Sequence, residues 1–81
     1  MITTTTFGDV LSHLKKSPLQ NTAYRECWNG KGQFIQLQVP DENSKMELPY
    51  IYINTVDGKK VPWIASQTDM LAEDWQLAVV Y

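Results

Sequence analysis

At 81 residues, 43% of them apolar, the chain can build one modest core, and a single domain over residues 1–81 is expected. Seven Lys and Arg against nine Asp and Glu leave a net charge of −2, which argues against the basic excess that non-specific DNA, RNA or anionic-membrane binding requires. One cysteine (Cys27) and one histidine (His13) exclude an internal disulfide and a zinc cluster, and no apolar run reaches the ~20 residues of a membrane span.

The first element is an amphipathic helix. Phe7, Val10, Leu11 and Leu14 fall at i, i+3, i+4 and i+7 and form one stripe. Thr6 and Asp9 supply a capping box at its start, Lys15 and Lys16 suit the negative end of its dipole, and Pro18 closes it. Beyond Pro18 the apolar period falls to two. Residues 22–28 read as a strand, Asn29-Gly30-Lys31-Gly32 as a turn, and residues 33–39 as the return strand. The segment 40–49 is a polar loop. Residues 50–54 form a third strand, Asp57-Gly58 a second tight turn, and residues 59–64 a fourth strand in which Pro62 requires an edge or a bulge. Residues 66–73 suit a short helix and residues 75–80 a last strand.

This order predicts an α+β fold: one N-terminal helix packed on an antiparallel sheet of about five strands, with a short second helix before the last strand. The aliphatic face of the sheet, Ile35, Leu37, Ile51 and Ile53, receives the helix stripe. The opposite face carries Phe34, Gln36, Tyr50, Tyr52 and Asn54. It is too aromatic to be idle and too polar to be core, so it is a place for a subunit contact or a ligand.

Few residues offer chemistry. His13 reads as a solvated surface side chain and Cys27 as a small buried hydrophobe within a strand. Asp69 and Glu73 lie four apart on the short helix, followed by Asp74. Ser66 and Asp69 form a second capping box, which explains these acids structurally, although Asp69 or Asp74 also suits acceptance of hydrogen bonds from ribose hydroxyls. Three tryptophans are many for so small a chain. Trp75 suits the core, whereas Trp28 and Trp63 suit either the core or a stacking platform for a nucleobase. Arg25, Lys31 and the amides of Gly30 and Gly32 offer an anion site at the first turn. The residues alone reach a small aromatic and polar pocket of unspecified ligand.

The stretch LPYIYINTVDGKKVPWIASQTDMLAEDW, with the upstream WNGKG and Arg25 three residues before Trp28, resembles the phage Thoeris anti-defence proteins of the second type. The resemblance runs from about Phe7 to Trp75. It implies a protein of the infected bacterial host's cytoplasm that binds cyclic ADP-ribose isomers made by TIR-domain enzymes and holds them without cleaving them. It also implies dimers or tetramers with ligand pockets between subunits. Matched by motif, the expected ligand-binding residues are Trp28, Asn29, Trp63, Ser66, Gln67, Thr68 and Asp69, with Lys31 and Tyr52 as additions. No catalytic residue, metal or cofactor is expected, and no DNA, RNA or membrane partner. The segment 17–21 and the loop 41–47 depart from the family pattern and leave the preferred cyclic nucleotide open. Two other readings compete: a nucleotide-cleaving enzyme using Asp69 or Asp74, and a protein–protein adaptor using the aromatic sheet face.

Overall fold

A computed structural model describes residues 5–26, 28 and 32–79. Its elements run α1 (Phe7–Lys16), β1 (Asn21–Arg25), β2 (Phe34–Gln38), β3 (Tyr50–Asn54), β4 (Lys60–Pro62), α2 (Gln67–Leu71) and β5 (Trp75–Val79). The strands form one antiparallel sheet in the order β4-β3-β2-β1-β5. The expected α+β architecture, including the short helix before the last strand, is the one observed.

The helix starts where local chemistry directs it. Thr6 accepts a hydrogen bond from the Asp9 amide, and the Asp9 carboxylate accepts one from the Thr6 amide, so two otherwise unpaired donors are satisfied reciprocally. At the other end the buried Asn21 side chain donates to the His13 carbonyl at 2.7 Å. That bond satisfies an orphan carbonyl of the last turn, a tie that the positions of Lys15, Lys16 and Pro18 do not reveal.

Cross-strand register assigns the two faces. Ala23 pairs with Ile35 and with Leu77, Ile35 with Ile53, and Ile53 with Val61. Directly opposed residues share a face, so these side chains lie on one side of the sheet, and α1 covers its β2-β1-β5 part. The core consists of Val10 and Leu14 from α1 with Ala23, Ile35 and Trp75 from the sheet, and Phe7, Trp28, Leu37, Ile51, Ile53, Trp63 and Ala72 pack around it. Thr22, Tyr24, Phe34, Gln36, Tyr50, Tyr52 and Asn54 therefore occupy the other face. Pro62 sits on the edge strand β4, where its missing N–H costs the ladder nothing. Gly58, at φ 82°, makes the turn into β4 in a region of backbone space that other residues avoid.

Beside β4, which spans three residues rather than six, two elements and one side chain differ from expectation. The first strand ends at Arg25 rather than running to residue 28: the Glu26 amide makes a last ladder bond to the Asp74 carbonyl, and the chain then turns, with the Trp28 amide on the Arg25 carbonyl at 3.1 Å. The second helix spans five residues rather than eight, because Ala72 leaves helical geometry after its amide bonds the Asp69 carbonyl. His13 is half-buried rather than solvated, its Nε2 lying 2.9 Å from the Ala78 carbonyl, to which the ring donates. Cys27 and the Asn29-Gly30-Lys31 part of the first turn lie outside the described residues. Among the described residues, no helix is long and apolar enough to cross a membrane.

Candidate functional site

The connection from β4 to β5 runs from one edge strand of the sheet to the other, and it carries Trp63 and α2 with it. Its path brings together residues far apart in the chain. Trp63 and Trp28 meet edge to face with ring centroids 6.4 Å apart. Both contact Trp75, at 6.1 and 5.5 Å, and Phe7 closes the cluster against Trp63 and Trp75 at 6.1 and 5.7 Å. Trp75 is buried at 1% exposure, as expected. Trp28 and Trp63 are half-buried: each gives one side to the core and keeps another toward solvent. Such rings combine packing with an accessible apolar surface.

Beside this cluster stands the start of α2. Ser66 caps the helix in the same reciprocal manner as Thr6 does α1. Its hydroxyl accepts from the Asp69 amide at 3.1 Å, and the Asp69 carboxylate accepts from the Ser66 amide at 3.2 Å and from its hydroxyl at 2.9 Å. The Thr68 hydroxyl joins at 2.8 Å from the Ser66 oxygen. The Trp75 indole N–H donates to the Asp69 carbonyl at 3.0 Å, tying α2 to the core.

Arg25 completes the arrangement. Its Nη1 lies 3.1 Å from Asp69 Oδ1, its Nε 3.0 Å from Asp74 Oδ1, and its Nη2 3.5 Å from Asp74 Oδ2. The guanidinium fork thus addresses two carboxylates that are 44 and 49 residues away in sequence. All three side chains are partly shielded from water, where such pairing is stronger than on an open surface. Burial pushes the Asp69 carboxyl upward, but the Ser66 hydroxyl and amide and the Arg25 guanidinium outweigh it and hold the group below its ordinary value. The cation that the sequence offered as part of an anion site therefore faces two carboxylates of its own chain.

Of the residues expected to bind a ligand, Trp28, Trp63, Ser66, Gln67, Thr68 and Asp69 converge on one end of the molecule. Tyr52 does not join them. It lies on the opposite face of the sheet, where its hydroxyl donates to Gln36 Oε1 at 2.7 Å and Gln36 Nε2 donates to the Pro18 carbonyl at 2.8 Å. Burial, followed by the charge of Tyr50, raises its phenol above the ordinary value. Asn29 and Lys31 lie outside the described residues.

A cleft of about 470 Å³ opens beside Trp28 and continues onto the second sheet face. It is lined among others by Thr22, Tyr24, Arg25, Gln33 and Phe34. The volume falls within the roughly 300–1,000 Å³ of small-molecule sites. Spacing alone does not mark Tyr24 or Gln33 as functional residues. Period-two alternation places Tyr24 on the same face as Thr22, but only the pairing of β1 with β2 brings that face beside Phe34 and Trp28.

A family model described as Tad2-like, Thoeris anti-defense 2-like domain, matches residues 5–78. The chain is also 36% identical to Thoeris anti-defense 2 of Bacillus phage SP01, in an alignment covering 95% of this chain and 98% of that protein. The family match takes in α1, β1 to β4, β5 as far as residue 78, the aromatic cluster and the Arg25–Asp69–Asp74 network.

Proposed function

The chain belongs to the Thoeris anti-defense 2-like family, and on that premise we propose that this phage anti-defence protein acts as a sponge. It binds the cyclic ADP-ribose isomer made by a Thoeris TIR enzyme, holds it uncleaved, and so deprives the effector of its signal in the cytoplasm of the infected host. The observation that carries the reading is the convergence of Trp28, Trp63 and residues 66–69 at one end of the fold. Half-buried indoles suit a purine face, and hydroxyl, amide and backbone groups at the start of α2 suit ribose and diphosphate oxygens. Asn29, Lys31 and Tyr52 are further proposed contacts. Tyr52, on the far side of the sheet, serves if a second copy of the chain presents it.

Assembly into dimers or tetramers belongs to the same proposal. Ile64, at 90% exposure, and Leu71, at 78%, flank the candidate site on the connection that carries it. Large apolar side chains so exposed favour a covered face, and a small domain gains stability from a partner. Non-cleavage is favoured by the commitment of Asp69 and Asp74 to Arg25. Asp69, held ionised by the guanidinium and the helix cap, is a poor general acid near neutral pH.

The test is binding followed by recovery. Purified protein is mixed with the nucleotide product of a Thoeris TIR enzyme, freed of unbound material, heat-denatured and chromatographed. Intact cyclic ADP-ribose isomer in the eluate is the expected result. A linear product would convert the reading to an enzyme. No retained nucleotide would refute it.

A further inference from the structure

We propose that Arg25 is a positioning residue that latches the start of α2 onto the β1–β5 pair, and that its fork geometry, not only its charge, performs this task. Helix α2 has five residues, none of them buried. Isolated helices of that length do not persist in water, so its position depends on ties to the rest of the fold. Besides its contact with α1, two polar ties hold it: the Trp75 indole N–H to the Asp69 carbonyl, and Arg25 Nη1 to Asp69 Oδ1. Arg25 is itself held in place. It ends β1 directly opposite Trp75, and two of its nitrogens engage Asp74, the residue before Trp75. The latch therefore runs from β5 through Asp74 and Arg25 to Asp69, and from Asp69 into the Ser66 cap.

The main chain at the same position holds the other half of the candidate site, since the Trp28 amide bonds the Arg25 backbone carbonyl at 3.1 Å, a tie that both substitutions below preserve. Arg25 also offsets the negative charge of two carboxylates beside the start of α2, where an anionic ligand would otherwise meet repulsion. A lysine cannot reproduce the arrangement. Its ammonium is a single point of charge on a flexible stem, and it lacks the planar fork that meets two carboxylates at once.

The experiment compares the full-length protein with Arg25→Lys and Arg25→Met by amide hydrogen exchange at neutral pH. Exchange at Asp69, Met70 and Ala72, whose amides bond within the cap and α2, is expected to accelerate at least ten-fold in both variants, while the amides of β2 and β3 keep their wild-type rates. Unchanged exchange in α2 would overturn the latch. So would a uniform acceleration through β2 and β3, or full restoration by lysine, which would reduce the role to charge. A second arm rests on the sponge reading: affinity for the cyclic ADP-ribose isomer falls at least ten-fold in both variants, and wild-type affinity in a variant whose α2 has opened would overturn the positioning role. A wild-type protein that binds no such nucleotide would refute the sponge alone, because the exchange arm decides the latch without ligand.

Discussion

Asp69→Asn separates the structural account of this carboxylate from a catalytic one. The wild-type side chain accepts from the Ser66 amide, the Ser66 hydroxyl and Arg25 Nη1, and its exposure is 16%. Asparagine keeps one acceptor oxygen and loses the charge. It can preserve part of the cap or part of the Arg25 contact, but not both. Losing a cap bond costs about 1 kcal/mol, and weakening a partly shielded ion pair costs about 1 kcal/mol more. The expected loss is therefore about 2 kcal/mol at neutral pH. For a domain of this size that lowers Tm by roughly 8–16 °C, read by calorimetry or by tryptophan fluorescence during urea unfolding. The pH dependence supplies an independent check. The folded-state pKa is depressed, so the stabilisation is fully present above the unfolded carboxyl value and is lost as pH falls through the lower folded one. Wild-type stability should decline over that acidic interval, and the asparagine variant should decline less steeply there. An unchanged Tm at neutral pH together with an unaltered acid profile would refute the account.

Other substitutions probe the core, the first helix and the ligand reading. Leu14→Ala removes a side chain that is 1% exposed between α1 and the sheet, and about 3 kcal/mol of stability should be lost in urea unfolding. Gly8→Ala should raise stability by about 0.5 kcal/mol, because among the described residues the added methyl meets Thr6 Oγ1 alone, at an ordinary 3.6 Å, and the unfolded chain loses freedom. Thermal unfolding checks the sign. Trp28→Ala and Trp63→Ala should each weaken binding of the cyclic ADP-ribose isomer by ~1–3 kcal/mol if the indoles stack on bases. Titration calorimetry on variants that retain the wild-type circular dichroism checks this, and unchanged affinity in both would move the ligand away from the cluster.

Much of the architecture follows from local rules. A helix from Phe7 with its Thr6–Asp9 cap, the Asp57-Gly58 turn and the period-two strands are properties of neighbouring residues, which a few positions suffice to display. The division of the sheet into an aliphatic and an aromatic face follows from the same alternation. Register then reproduces it, since Ile35 opposes Ile53 and Gln36 opposes Tyr52. The Ser66–Asp69 cap is equally local. These features depend on contacts within about four residues, where spacing alone determines geometry.

Tertiary structure decided what no spacing encodes. Tyr52 and Trp63 are eleven residues apart with suitable chemistry in both, yet the sheet separates them, because β3 points Tyr52 away from the face that carries the tryptophans. By position alone Arg25 suits a cation for a ligand, and Asp69 and Asp74 suit helix-terminal acids. Their pairing spans 44 and 49 residues and exists only because β5 docks beside β1. The same docking carries the β1–β5 ladder one bond further, from the Glu26 amide to the Asp74 carbonyl, a partner 48 residues away in the chain. Residues alone determined the elements and the two sheet faces. Strand order determined which charges meet, since a contact between distant segments leaves no periodic trace in either of them.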